Sequence, residues 1–279
     1  GELEKKDAII LDKKMAEELA TAITDNNWSV SDIETKPKTQ NPYPPFITST
    51  LQQEGIRKLH MNSNQIMRVA QSLYENGYIT YMRTDSIHLS SEALNASRSL
   101  IKDKFGDKYL PASPRLYKSK SKNAQEAHEA IRPAGASFIN PADIKNKLTD
   151  QEYKLYDLIW KRTIASQMKS AQIEQTKLTI SDNKHVFTAS GKTIVFPGFL
   201  RAYVEGSDDP NANLDDMEKI LPKVGKGDSL DCKSIVPKQH FTKPISRFTE
   251  ASLVKEMEAL GIGRPSTYAS IMKRIQDKG

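Results

Sequence analysis

The chain has 279 residues, of which 37% are hydrophobic and 27% charged, and its 41 Lys and Arg against 35 Asp and Glu leave a net charge of +6. That length can bury two or three separate cores, and a pI near 9.1 leans towards a polyanionic partner. The single cysteine, Cys232, excludes an internal disulfide and a cysteine-rich zinc site, and no apolar run reaches the ~20 residues of a membrane span. One cysteine and no secretory signal lead to the expectation of a reducing cytoplasm. The first residue is Gly1 rather than Met, so a segment of a longer protein is expected.

Met15, Leu19 and Ile23 recur at helical spacing behind Asp12, a capping residue, and predict the first helix. Trp28 to Thr35 reads as a strand. From Lys36-Pro37 to Pro44-Pro45 the prolines oppose helix and central strand alike, which places a boundary there and starts a second domain near residue 41. Ile66, Val69, Ala70, Leu73 and Tyr74 predict a helix stopped by Asn76-Gly77. Ser90 caps a further helix ended by Gly106, and Thr149 with Glu152 forms a capping box for a long one.

The pattern changes at Ala171. Leu178 to Ile180, His185 to Thr188, Thr193 to Phe196 and Phe199 to Val204 read as short strands separated by turns at Asp182-Asn183, Gly191-Lys192 and Pro197-Gly198. An antiparallel sheet is expected. The stretch from Glu205 to Glu218 is acidic and rich in turn formers, and Asp208, Asp209, Asp215 and Asp216 are weighed there as metal ligands against a plain acidic loop. Helical spacing returns with Leu253, Met257 and Leu260 behind Thr249, and Gly261 stops it. Gly263-Arg264-Pro265-Ser266 then leads into a helix capped by Ser266, a helix, turn and helix that could present an N-terminus to phosphate.

Three places carry possible chemistry. In Gly77-Tyr78-Ile79-Thr80-Tyr81-Met82-Arg83-Thr84-Asp85-Ser86, a strand would project Tyr81 and Arg83 from one face and Met82 and Thr84 from the other. A phenol with a pKa near ~10 is a weak nucleophile at neutral pH, and a fixed guanidinium beside it favours the phenolate and the charge developing on a phosphate. A half-buried tyrosine beside a surface arginine is the alternative. His128-Glu129-Ala130-Ile131-Arg132 departs from the zinc motif His-Glu-x-x-His at its fifth residue; on a helix, His128 and Arg132 would share a face as two donors for one phosphate. Arg115, Lys118, Lys120 and Lys122 could track a nucleic-acid backbone or belong to a solvated loop. No Gly-x-x-x-x-Gly-Lys loop for a nucleotide is present.

The runs Gly77 to Ser86, Gln125 to Pro133 and Gly261 to Ser270, with Pro45 to Gln53 and His240 to Pro244, resemble the signatures of the bacterial DNA topoisomerase I family, a type IA family, over essentially the whole chain. The resemblance implies an α+β multidomain fold: a discontinuous antiparallel β arch over 1–40 and 169–246, a mainly helical nucleophile domain over 41–168, and the start of a helical strand-binding domain over 247–279. It implies transient cleavage of one DNA strand through a 5′-phosphotyrosine, strand passage and resealing without a nucleotide cofactor, relaxing negative supercoils. Tyr81 would be the nucleophile, Arg83 and His128 its phosphate partners, and Arg132, Arg264 and Thr267 DNA contacts. Met82 favours this family over topoisomerase III and reverse gyrase. Magnesium is implied for the complete enzyme, with its acidic ligands outside this sequence, as are zinc ribbons. The expected partners are single-stranded or negatively supercoiled DNA and the further domains of the same polypeptide. A monomer in the bacterial cytoplasm is expected, and these residues alone are expected to be inactive. A single-strand binding module without chemistry, or a structural interaction domain, remains the competing expectation.

Overall fold

A computed structural model describes residues 11–118, 128–204, 206 and 220–278. The acidic residues Asp208, Asp209, Asp215 and Asp216, together with Lys120, Lys122 and Gln125, lie outside the described residues. The chain divides into two compact units, one of residues 1–38, 172–195 and 213–246, the other of 39–171, 196–212 and 247–279.

The first unit is a four-stranded antiparallel sheet with one helix. Asp12 accepts a hydrogen bond from the Met15 N–H and starts α1 (Lys13–Ile23), which buries Ala20 and Ile23 while Met15 and Leu19 stay largely exposed. The strands are β1 (Trp28–Gln40), β2 (Ala171–Ser181), β3 (Val186–Phe196) and β4 (Ser229–Leu230), in the order β3-β2-β1-β4. Trp28, Val30, Ile173 and Leu178 are buried in this unit, and Trp28 meets the Phe187 ring edge-on at 5.2 Å.

β1 is longer than its sequence predicts and runs through Pro37. Among the described residues β4 pairs with β1 only near its start, Trp28 opposite Leu230 and Ser29 opposite Ser229, and Pro37 lies beyond that pairing. β3 likewise runs on through Gly191-Lys192, where a turn is predicted.

The second unit is mainly helical: α2 (Thr48–Leu59), α3 (Ser63–Glu75), α4 (Ser91–Phe105), the single turn α5 (Pro141–Ile144), α6 (Asp150–Ser166), α7 (Glu250–Ala259) and α8 (Tyr268–Lys278). Ser90 caps α4, and the reciprocal Thr149–Glu152 box opens α6, as their sequences predict. α2 is not predicted by its apolar spacing. Its buried residues include Thr48, Ser49, Gln52, Gln53 and Glu54, so polar side chains occupy positions where helical periodicity looks for apolar ones.

The expected strand from Phe199 to Val204 is instead a 3₁₀ turn, Gly198–Arg201, and an irregular tail. Phe199 and Tyr203 are buried four residues apart, with the Tyr203 N–H bonded to the Phe199 carbonyl at 3.0 Å, a helical rather than an alternating spacing. The tail is held by Glu54. The Tyr203 hydroxyl donates to Glu54 at 2.5 Å, the Gly206 N–H donates to the same carboxylate, and Arg57 and Lys58 pair with it at 3.2 and 3.4 Å. Next to this cluster Arg162, almost wholly buried, lies 5.0 Å from the Tyr43 ring centroid, 4.8 Å from that of Phe46 and 5.0 Å from that of Tyr203, and donates to the Pro44 carbonyl at 2.7 Å.

Burial alone would raise the Glu54 carboxyl, but the Tyr203 hydroxyl, the Gly206 N–H, Lys58 and Arg57 together hold it below its ordinary value. A depressed carboxyl contributes stability that is present above the unfolded-state value and is lost as pH falls through the folded one. Glu54→Gln is therefore expected to lower unfolding stability at pH 7 by about 3 kcal/mol, because it leaves two partly buried cations short of a counter-charge. It should also flatten the acid limb of a urea-unfolding stability profile measured against pH.

Candidate active site

The segment from Gly77 to Ser86 follows α3 directly. Asn76 ends the helix and Gly77 takes the left-handed conformation, φ 75°, that turns the chain out of it. The strand expected around Tyr81 is not formed. Ile79 makes one antiparallel bridge with Pro133, and the backbone beyond Thr80 is irregular.

Side-chain hydroxyls take the place of a strand partner. Thr80 accepts from the Arg132 N–H at 3.0 Å, donates to the Ala130 carbonyl at 2.8 Å, and its own N–H donates to the Arg132 carbonyl at 2.9 Å. Further on, the Thr84 N–H donates to Thr48 Oγ1 at 2.9 Å, and the Ser86 N–H donates to Thr84 Oγ1 at 3.0 Å. Serine and threonine hydroxyls compete for backbone groups in this way, and here they satisfy a buried chain without a ladder.

Exposure still alternates as in a strand. Met82 and Thr84 are buried, whereas Tyr81, 37% exposed, and Arg83 face solvent. The Tyr81 ring lies between two others: Tyr74 edge-on at 5.3 Å and His128 at 5.8 Å, tilted by 35°. The Tyr81 ring is thus contacted by two others while the residue as a whole stays exposed.

His128 and Arg132 do not share a helix face. The stretch that carries them is extended, with Ile131 bridged to Phe46 and Pro133 to Ile79, because the Phe46 carbonyl captures the Ile131 N–H at 2.8 Å and Thr80 captures that of Arg132. Arg132 is buried. Its guanidinium donates twice to Glu129, at 3.0 and 2.7 Å, and to the carbonyls of Pro133 and Gly135. The other Glu129 oxygen accepts from the Ser90 N–H at 2.7 Å. Burial raises the Glu129 carboxyl, yet Ser90 and Arg132 outweigh it and keep it below its ordinary value, so the pair is ionic. Arg132 braces the chain beside His128, its guanidinium engaged with protein acceptors.

Arg115 is committed as well. It donates to the Met168 carbonyl and to Ser170 Oγ, both at 2.7 Å, which ties its loop to the end of α6, while Lys118 is exposed.

α7 packs on α2 and α8 on α3, which brings the helix-turn-helix beside the Tyr81 segment. Thr249 caps α7, and Gly261 and Gly263 turn the chain with φ of 71° and 81°. A Cβ on Gly263 would meet the Tyr268 ring at 3.1 Å. Arg264 and Thr267 are exposed, and Thr267 Oγ1 accepts from the Arg264 N–H at 2.8 Å. The Arg264 guanidinium folds back on the Gly263 carbonyl at 2.8 Å. Burial, then Glu258, raise the Tyr268 phenol, Arg264 lowers it, and Asp85 raises it again, so Asp85 and the Arg264 turn share one electrostatic neighbourhood.

Sequence reasoning missed Thr48, Thr80 and Glu129 as builders of this site. The only local signal was the density of hydroxyls in Phe46-Ile47-Thr48-Ser49-Thr50 and Thr80 to Ser86. Among the described residues no three His, Cys, Asp or Glu side chains converge as a cation site.

The chain is 54% identical over its whole length to DNA topoisomerase 1 of Streptomyces coelicolor, and 54% identical over 97% of its length to that of Synechococcus elongatus, covering 30% of each. It thus spans under a third of the curated relatives it matches. Against the solved full-length topoisomerase I of Thermotoga maritima it superposes with a TM-score of 0.78 at 34% identity, covering 98% of this chain and 44% of that one. The profile of the DNA topoisomerase family matches residues 2–279, and the chain belongs to that family.

Proposed function

We propose that this chain carries the nucleophile of a type IA DNA topoisomerase, which opens and reseals one DNA strand to relax negative supercoils. The observation that supports this best is an exposed phenol, Tyr81, on a segment pinned at both ends, with Arg83 facing solvent two residues away and the His128 ring against it. Tyr81 Oη attacks a backbone phosphorus; the bond from phosphorus to the 3′ oxygen breaks, and the strand is left as a 5′-phosphotyrosine and a free 3′ hydroxyl. The proton lost by the phenol matches the one gained by the 3′ oxygen. Reversal needs no nucleotide, because the new phosphodiester conserves the energy of the old one. Arg83 stabilises the extra negative charge on the phosphoryl oxygens, and its planar fork can address two of them together. His128 orients the same phosphate. Arg264 and Thr267 contact the DNA strand from the α8 side, once Arg264 leaves the carbonyls it now caps. Arg132 supports His128 through Glu129 rather than touching DNA. A monomer in the bacterial cytoplasm belongs to the same proposal, the single cysteine being its support.

The test mixes this chain with the regions of the Streptomyces coelicolor relative that lie outside the match and with end-labelled single-stranded DNA. A DNA-linked peptide containing Tyr81 is expected; Tyr81→Phe should abolish it while leaving DNA binding within about 2-fold, since a hydroxyl at the ring tip contributes little to a phosphate-dominated affinity. Binding by the unaltered chain with no adduct would point to a binding module instead.

Arg83→Lys is expected to lower the single-turnover cleavage rate by about 10²- to 10³-fold, the usual cost of one lost charge-stabilising donor set. An unchanged rate would remove Arg83 from the mechanism. The chain alone, with magnesium and supercoiled plasmid, is expected to leave the topoisomer ladder unchanged on a gel.

A further inference from the structure

The Thr48 hydroxyl reaches the Tyr81 segment from α2 and bonds its backbone on both sides of Arg83. Thr48 is fully buried as the first residue of α2. Its Oγ1 lies 2.8 Å from the Met82 carbonyl and 3.1 Å from the Thr84 carbonyl, accepts the Thr84 N–H at 2.9 Å, and its backbone N–H donates to the Thr84 carbonyl at 3.0 Å. The one hydroxyl proton goes to the nearer carbonyl of Met82. The groups captured are the carbonyl just before Arg83 and the N–H just after it. A β-branched residue at a helix start has few side-chain rotamers, so the position of this hydroxyl follows the position of α2.

We propose that Thr48 is a positioning residue for strand cleavage. By holding both peptide groups that flank Arg83 it sets where the guanidinium stands relative to the Tyr81 phenol, with no contact of its own to DNA. The inference rests on the function proposed above and names a residue outside that machinery. Ser86, Thr84 and Thr80 cannot replace it, because each lies on the segment being positioned, whereas Thr48 reaches it from α2. Misplacement of a reacting group by about 1 Å costs on the order of 10²-fold in rate, which is the scale available to such a residue.

Thr48→Val keeps the shape and removes the hydroxyl; Thr48→Ser keeps the hydroxyl. In the complemented reaction, Thr48→Val is expected to cleave about 10- to 100-fold more slowly at saturating DNA, with DNA affinity and the thermal transition of α2 measured alongside. Thr48→Ser should restore the rate to within about 3-fold, and amide exchange at Thr84 should be protected in Thr48→Ser and fast in Thr48→Val. If Thr48→Val does not fold, Thr48→Cys, close in size with only a weak donor, takes its place. Cleavage by a folded Thr48→Val or Thr48→Cys at the unaltered rate overturns the inference, and so does a Thr48→Ser as slow as Thr48→Val. A loss confined to DNA affinity overturns it too. Absence of a Tyr81 adduct in the unaltered chain instead sinks the functional reading itself.

Discussion

A buried polar group must find a partner, and α2 buries a run of them. Thr48, Ser49, Gln52, Gln53 and Glu54 all lie within the second unit's core, and two of them, Thr48 and Glu54, organise the chain around α2 through the bonds they make. At its N-terminus Thr48 binds Met82 and Thr84; one turn and a half later Glu54 binds Tyr203 and Gly206. Segments far apart in sequence are thereby fixed to one short helix. A core of leucines in the same positions would pack as densely but would specify neither the path of the Tyr81 segment nor that of the tail after Phe199.

The same constraint explains why the Tyr81 segment is irregular and yet ordered. A regular strand would satisfy its backbone with a neighbouring strand and leave its residues equivalent. Hydroxyls from Thr48, Thr80 and Thr84 bind individual peptide groups instead, on both sides of Tyr81. The outcome is a backbone fixed at its ends with Tyr81 and Arg83 turned outward, an arrangement that exposes both side chains on a firmly held backbone. His128 reaches the Tyr81 ring because the following residues are locked: Glu129 to the start of α4 and to Arg132, Ile131 to Phe46. Arg132 shows how a cation in a functional motif can serve the motif's shape. Its four donated bonds all end on protein acceptors.

Much of this is legible in the order of the residues. The caps at Asp12, Ser90, Thr149 and Thr249 mark helix starts because their oxygens bind backbone N–H groups only a few residues away. The stops at Gly77 and Gly261 are as local, since a left-handed residue is a property of one position. Where local patterns mislead, the deciding partner is remote. Pro37 lies on β1 beyond its pairing with β4; Phe199 to Val204 coils where Glu54 bonds Tyr203; α2 hides its helix behind buried polar residues, of which Thr48 and Glu54 are matched by remote segments.

The sequence by itself determined the helices with local caps, the presence of a sheet, the family, and Tyr81, Arg83 and His128 as the residues to inspect, since each of these is written in neighbouring residues or in motifs read in order. Only the tertiary structure decided that the Tyr81 segment is no strand, that His128 stands against Tyr81 while Arg132 is withdrawn to Glu129, and that Thr48 holds the chain on either side of Arg83. The physical reason is that a side-chain hydrogen bond depends on direction and distance between groups dozens of residues apart, and no local pattern carries that information.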